Sequence, residues 1–447
     1  MLFLHLSDIH FKANEIRRDD DPNAGLRNDI VDDVTKMRSK IGRAADAILI
    51  SGDIAFAGAE DEYVFATAWL KEQLCPAAGC SMDDIFVIPG NHDVDREKTA
   101  ARMHADARAS LRQLPAPTAD GVLREYLSEP ASSQLIFAPL ENYNVFATQF
   151  ECAIGRYDDN HPEVKPYVKR SWTLNDGSTL AFWGFSSVLV SDKHDAADKM
   201  FVDPMGAQIQ RHDGVVHAVM CHHPYSWLRN GTAFRDRVEA VTKLQLFGHE
   251  HTRRVEDGQR FTTVRAGAVH PERDDPKWDP GYNWIELSVE TRPNEERWLN
   301  VGIWVRKWEG HRFIAVPSPD DAETWTASHK LPPWMRTPEA VTTRTTPATA
   351  VSVSAAHSMI HDGKSSGNVE GEPLRSPTVV RNLLELSEHD QRRIVGQLHL
   401  DHEGDQGLKR WQFVLAVVNR AKAQCRLQEL NDEVCKLITN KGDDHGG

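Results

Sequence analysis

The residues best suited to chemistry stand in five short blocks: Asp8-Ile9-His10, Ser51-Gly52-Asp53, Gly90-Asn91-His92-Asp93, Cys221-His222-His223-Pro224 and Gly248-His249-Glu250-His251. Asp8, His10, Asp53, Asn91, His222, His249 and His251 offer seven oxygen or nitrogen donors and no thiolate. That set suits Mn²⁺, Fe, Zn²⁺ or Ni²⁺ better than Ca²⁺ or an iron–sulfur cluster. Seven donors exceed the needs of one open catalytic ion and match two ions that share a carboxylate. Two ions about 3.5–4 Å apart can generate hydroxide near neutral pH and clamp the oxygens of a phosphoryl group.

Such donors need elements that bring them together. Apolar runs of four to six residues occupy 2–6, 47–50, 85–88, 180–185, 215–220 and 244–247, and each block of donors follows one of them. Runs of this kind are strands buried on both faces. Between two of them, Tyr63, Ala66, Leu70 and Leu74 fall at helical spacing. Alternating strands and helices give an α/β layer architecture, whose ligand sites lie at the carboxyl ends of the strands. The glycines before Asp53, Asn91 and His249 permit tight turns and close backbone approach there. From about residue 260 the pattern changes, and 261–264, 284–289, 299–305 and 313–316 read as successive antiparallel strands of a second sheet. The segment 96–170 reads mostly as helix, broken at Pro115 and Pro117, and is expected as an insertion or lid over the site.

The ordered set DxH, GD, GNHD, HxP and GHxH resembles the calcineurin-like metallophosphoesterase superfamily over residues 1–317. Each block alone is unspecific, whereas the ordered set at strand ends is specific. The resemblance implies a four-layer α/β/β/α sandwich. It implies a first metal on Asp8, His10 and His251, a second on Asn91, His222 and His249, and Asp53 bridging them. It assigns His92 as the general acid at the leaving oxygen, with Asp93 orienting its imidazole. Hydroxide bridging the two ions would attack phosphorus in line, without a covalent intermediate. Mn²⁺ is the first expectation, with Fe, Zn²⁺ and Ni²⁺ as alternatives. The expected activity is phosphodiester hydrolysis, on a cyclic nucleotide or a nucleic acid. Two alternatives stand beside it: a nuclease effector of a bacterial defence system, and a catalytically weak metal-binding scaffold. The complete ligand set together with His92 argues against the scaffold.

Other residues carry less. His223 either contacts substrate or merely precedes Pro224, and Arg253 and Arg254 either touch phosphate or form a solvated charge pair. His223 and Arg253 are kept as candidate substrate contacts. His5, His104, His161, His212 and His217 read as surface or core residues, and Asp19-Asp20-Asp21 as an exposed loop. Trp304 and Trp308 read as sheet packing rather than a base-stacking platform.

The 447 residues include 52 basic and 66 acidic side chains, for a formal charge of −14. This excess argues against a broadly basic nucleic-acid binder, but bound divalent ions would set the charge at the site itself. No apolar run approaches the ~18–20 residues that cross a bilayer. The first residues, Met1 to Ser7, show no basic export region. The expectation is a cytoplasmic protein with no membrane association, its six cysteines reduced.

Residues 318–378 are expected to run extended and then, from 337, as a flexible linker rich in Thr, Ser, Ala, Pro and Gly. Helical signals resume over 379–440, where Ser387 and Asp390 cap a helix to 398. Leu408, Trp411, Leu415 and Val418 form one helical stripe, and Leu427, Leu430, Val434 and Leu437 another. Residues 379–447 carry 10 basic and 11 acidic side chains and no catalytic motif. The unit resembles the death-like, effector-associated adaptor modules of bacterial defence proteins; a generic helical oligomerisation domain is the alternative. Either way it is expected to bind a protein partner or to self-associate.

Overall fold

A computed structural model of the chain describes residues 1–16, 21–270, 279–335 and 374–443. The first apolar runs form β1 (Leu2–Leu6), β2 (Ala47–Ile50) and β3 (Ile85–Val87), in which every residue is buried. They are followed by β4 (Tyr167–Thr173), β5 (Thr179–Phe185), β6 (Val215–Cys221) and β7 (Thr242–Phe247). The chain continues through β8 (Arg254–Asp257), β9 (Thr262–Arg265), β10 (Gly281–Thr291), β11 (Arg297–Trp308), β12 (Phe313–Ala315) and β13 (Trp325–Lys330).

One sheet has the order β12-β11-β10-β1-β2-β3, with β13 also on β11; the other has the order β4-β5-β6-β7-β9-β8. This corrects the expected division near residue 260. Strand β9 joins the second sheet in parallel with β7, whereas β10 to β13 return to the first sheet. The reason lies in the free edge of β1, whose other edge is taken by β2. Antiparallel β10 covers it, with Leu2 opposite Glu286 and His5 opposite Asn283. Strand β13 also carries the sheet past the expected boundary at 317, pairing with β11 from Ile303↔Trp325 to Trp298↔Lys330.

The two sheets pack face to face through aromatic side chains. Phe3 of β1 meets Phe182 of β5 at 6.1 Å and Trp172 of β4 at 5.4 Å, and Phe86 of β3 meets Phe182 at 5.8 Å, all edge to face. Helices Ala24–Ile41 and Glu60–Trp69 contribute Ile30, Val34, Tyr63 and Ala66 to the same core. Trp304 and Trp308 pack at its margin, and the Trp308 indole donates to Asp29 at 2.8 Å.

Helices Arg102–Gln113, Ala116–Ser128 and Pro130–Phe137 of the 96–170 segment pack on the second sheet. Leu111, Leu123, Leu127 and Ile136 pack with Phe185, Val219 and Phe247 and with Phe234 and Val238 of helix Gly231–Val241. They therefore help form the outer helical layer of the second sheet. Pro115 precedes helix Ala116–Ser128 and Pro117 sits in its first turn, where the missing N–H costs nothing.

The C-terminal stripes form four helices, Ser376–Glu385, Glu388–Gln397, Arg410–Ala423 and Leu427–Asp443. Ser387 caps the second, accepting from the Asp390 N–H at 3.2 Å and donating to its carboxylate at 2.8 Å. Their core includes Ala153 and Val164, so the bundle rests against the rest of the chain. The expected linker lies outside the described residues over 337–373, as do Asp19 and Asp20. No helix among the described residues is long and apolar enough to cross a membrane.

Candidate metal centre

Strand β1 delivers Asp8 and His10, the turn after β2 delivers Asp53, and the turn after β3 delivers Asn91. His222 follows β6, and His249 and His251 follow β7. The two sheets thus contribute their ligand-bearing ends to one site. The backbone bends sharply there. Asp8 (φ 54°), His10 (51°), Asp53 (54°), His249 (70°) and His251 (53°) all lie in the left-handed region. That conformation costs an L-residue about 1–2 kcal/mol, and here it turns five candidate ligands towards a common point. Two glycines permit the crowding. A Cβ on Gly90 would lie 2.1 Å from Asp53 Oδ1, and one on Gly52 would lie 2.5 Å from His222 Nδ1.

All seven expected ligands meet. Asp8, His10 and His251 form one group whose ligand-capable atoms lie within 4.8 Å of one another, and Asp8, Asp53 and His222 form a second. His222, His223 and His249 form a third, and His10, Asp53 and His92 a fourth. His10 Nε2 is 3.1 Å from Asp53 Oδ2, and His249 Nδ1 is 3.0 Å from Asn91 Oδ1.

The geometry at His222 asks for a cation. Its Nδ1–H donates to the Ser51 carbonyl at 2.9 Å, so Nε2 of the neutral ring carries a lone pair. That nitrogen faces Asn91 Oδ1 at 3.0 Å and Asp53 Oδ2 at 3.3 Å. Electron-rich atoms at these distances are held together only by a proton or a metal ion among them. In the metal-free protein the proton serves. Burial lowers the His222 pKa, but the charge and hydrogen bond of Asp53, with Asp8 and the Ser51 carbonyl, raise it to about 9. Burial alone would push Asp53 up, yet the charges of His222 and His92 hold it well below the carboxylate range. Asp8 is likewise held low, against its burial, by His251 and His222. His10 Nδ1 is buried without a hydrogen-bond partner, and Asp8 Oδ1 has His251 Nε2 3.4 Å away. An unsatisfied nitrogen within an all-nitrogen-and-oxygen donor set fits a divalent metal ion.

His92 joins the group through its backbone N–H, which donates to Asp53 Oδ1 at 2.7 Å. Its ring is held by the Phe56 carbonyl, which accepts from Nδ1–H at 2.7 Å. This corrects the expected orienting role of Asp93. The Asp93 carboxylate is fully buried and accepts from the N–H groups of Ala55 (2.9 Å), Gly90 (2.8 Å) and Ile54 (3.1 Å) and from the Tyr63 hydroxyl (2.9 Å). Four nearby donors engage that carboxylate, so it knits the β2 and β3 turns together. Burial, reinforced by Asp53, pushes its pKa up to about 7.

The two candidate substrate contacts part company. His223 is fully buried inside the centre, its ring 4.3 Å from that of His249. Arg253 turns away. Its guanidinium pairs with the Asp279 carboxylate and donates to the Asp279 carbonyl at 3.2 Å, so it straps the Asp279–Gly281 turn instead of facing phosphate. Arg254 pairs with Glu256 at the surface.

Several supporting residues gave no signal in the sequence. Phe56 acts through its carbonyl, which any residue could supply. Tyr63 read only as part of an apolar helical stripe. Trp227, half-buried, sets its ring 4.0 Å from His249 and 5.6 Å from His223. His270 donates from Nδ1–H to the Ile9 carbonyl at 2.6 Å, propping the turn that carries Asp8 and His10.

The model of the family described as calcineurin-like phosphoesterase matches residues 1–253. The glycerophosphodiester phosphodiesterase GpdQ of Enterobacter lignolyticus is 34% identical over 95 residues, which are 21% of this chain and 30% of that protein. The chain thus spans about a third of the length of this curated relative. Among solved structures, Vacuolar Protein Sorting 29 from Cryptosporidium parvum is 9% identical with a TM-score of 0.31, over 74% of this chain and 98% of that one. A putative 5'-nucleotidase from Staphylococcus aureus is 10% identical with a TM-score of 0.31, over 72% of this chain and 56% of that one.

Proposed function

The chain belongs to the calcineurin-like phosphoesterase family, and from that premise we propose that it is a metal-dependent phosphodiesterase with two ions at this centre. Asp8, His10 and His251 would hold one ion, Asn91, His222 and His249 the other, with Asp53 between them. Divalent ions supply Lewis acidity, polarising phosphoryl oxygens and lowering the pKa of water. Mn²⁺ is the first candidate, with Fe, Zn²⁺ and Ni²⁺ behind it. The observation that carries the reading is the placement of His222 Nε2 3.0 Å from Asn91 Oδ1 and 3.3 Å from Asp53 Oδ2, three electron-rich atoms at distances that call for a cation.

The chain's own residues divide the remaining work. With Nδ1–H fixed on the Phe56 carbonyl, Nε2 of His92 is the atom that would give its proton to the leaving oxygen and take another from solvent before the next turnover. Burial pushes His92 down to about 4, against the raising charge of Asp53, and the negative charge of a bound ester would favour uptake of a solvent proton at Nε2. Asp93 keeps the two turns in register. The partial likeness to a glycerophosphodiester phosphodiesterase supports a diester rather than a monoester. A cyclic nucleotide and a short nucleic acid are the diesters of choice. The helical domain would serve a protein partner or self-association.

The test is hydrolysis of bis-p-nitrophenyl phosphate by Mn²⁺-loaded protein, followed by cyclic nucleotides, single-stranded DNA, RNA and phosphomonoesters in parallel. Wild type should turn over the diester and Asp53→Ala should not. Equal rates in the two, at confirmed metal content, would refute the reading and leave a metal-binding scaffold.

A further inference from the structure

One buried polar atom at the centre is left over by the metal assignment: Nε2 of His223, which has no hydrogen-bond partner although the residue is fully buried. The ring is firmly set. Trp227 stacks on it at 5.6 Å with 30° between the planes, and Ser187 Oγ lies 2.9 Å from Nδ1. Ser187 Oγ also accepts the backbone N–H of His223 at 3.2 Å.

That pairing suits the tautomer with its proton on Nε2, in which Ser187 Oγ donates to Nδ1. A hydroxyl has a single hydrogen to donate. Ser187 receives the backbone N–H, and its own hydrogen is free for the best acceptor in reach. Imidazole nitrogen outranks the nearby Cys221 sulfur, a weak acceptor. With Nδ1 accepting, the neutral ring carries its hydrogen on Nε2. A protonated nitrogen has no lone pair for a metal ion, and being uncharged it does not repel cations bound by His222 and His249 beside it. What it lacks is an acceptor.

We propose that His223 is a neutral hydrogen-bond donor to a non-bridging oxygen of the substrate's phosphoryl group, with Ser187 as the positioning residue that fixes its tautomer. The proposal rests on the phosphoesterase reading above. It gives the site a phosphate-recognising group that works beside the metal ions. A preorganised, buried donor strengthens its bond as charge builds on the phosphoryl oxygens.

Three measurements on full-length protein test it. Metal content is measured by mass spectrometry in wild type, His223→Ala, His223→Gln and Ser187→Ala, with melting curves to confirm folding. Binding of inorganic phosphate to the metal-loaded proteins is followed by calorimetry. Long-range ¹H–¹⁵N spectra of the metal-free protein report the tautomer, the His223 signals being assigned by their loss in His223→Gln. All variants should keep the full complement of metal. Phosphate affinity should fall about 10–100-fold in His223→Ala, the range for one hydrogen bond to a charged group. His223→Gln, which retains an N–H donor, should recover part of that loss. In wild type the protonated nitrogen should be Nε2, and Ser187→Ala should mix the tautomers and weaken phosphate binding. Loss of an ion from His223→Ala would make His223 a ligand and overturn the proposal, as would a proton on Nδ1 in wild type. Unchanged phosphate affinity in His223→Ala, with wild-type binding intact, would overturn this proposal alone. Absence of phosphate binding by wild type would overturn it together with the functional reading.

Discussion

Replacing Asp83 should loosen the helical domain from the catalytic sheets. The Asp83 carboxylate, 5% exposed, accepts from the Thr378 hydroxyl at 2.7 Å and pairs with Arg381 and Arg375. A second contact lies at Glu141, which pairs with Lys409 and accepts from the Trp411 indole at 3.0 Å. In Asp83→Ala the Thr378 bond is worth about 1 kcal/mol, and the Arg381 pair, with one partly exposed member, about 1–2 kcal/mol. Arg375 is 39% exposed and adds little. A total of about 2–3 kcal/mol would cut the ratio of docked to undocked protein roughly 30–150-fold. Adding Glu141→Ala should release the bundle further. Hydrogen exchange by mass spectrometry is the assay, read at 150–165 and at 376–385, the two sides of the contact. Faster exchange on both sides, with unchanged protection of β1 and β2, is expected. Unchanged protection in a folded Asp83→Ala/Glu141→Ala double variant would show that the polar contacts do not hold the bundle. The apolar contacts of Ala153 and Val164 would then have to be sufficient.

Asp33→Ala should cost about 3–5 kcal/mol in urea unfolding, the range for breaking a buried ion pair. It strands Arg306, which meets the Asp33 carboxylate with two bonds of 2.8 Å, and the Tyr282 hydroxyl at 2.6 Å. Asp195 should leave a mark on the pH dependence of stability. Burial pushes its pKa up to about 6, although Ser191 and the Asp192 N–H donate to it. Between the unfolded value near 4 and pH 6 the folded chain keeps a proton that the unfolded chain has lost. Stability therefore falls as pH rises through that window, by up to about 3 kcal/mol. Asp195→Asn should flatten that part of a curve of unfolding free energy against pH, and an unaltered slope would contradict the assignment. Deleting residues 374–447 should leave hydrolysis of a model diester close to wild type, since no residue of the bundle lies among the candidate ligands. A large loss of turnover, with the sheets still folded by circular dichroism, would count against that.

The donor blocks were legible because their chemistry is carried by side-chain type and by position after an apolar run. Asp8, Asp53 and His222 needed no knowledge of the three-dimensional fold to be singled out. Strand existence was legible for the same reason, as every residue of β1 and β2 is apolar or buried. Strand pairing was not. Whether β9 joins the second sheet and β10 the first depends on which edges remain open after the early strands pair, and local sequence does not record that. The packing of the helices at 102–137 on the second sheet was not legible for a similar cause, because an amphipathic helix shows that it has a buried face without showing what covers it. Arg253 and Asp93 failed for another reason. Each is a charged residue beside a ligand, but its partners, Asp279 in one case and three backbone N–H groups with Tyr63 in the other, come from segments that only the fold brings near. His92 was identified by its block, while the Phe56 carbonyl that holds it left no trace in residue type.

The pairing of β1 with β10 limits how the protein can be cut. A fragment ending at residue 253, where the family match stops, would keep all seven candidate ligands but lose β10. One side of β1 would then offer a row of unpaired N–H and C=O groups flanked by side chains that are all apolar except His5. Such an edge recruits strands from other copies of itself. Fragments meant for crystallisation or assay should therefore run through β13, to about residue 331, and a shorter one should precipitate even though its ligand set is complete.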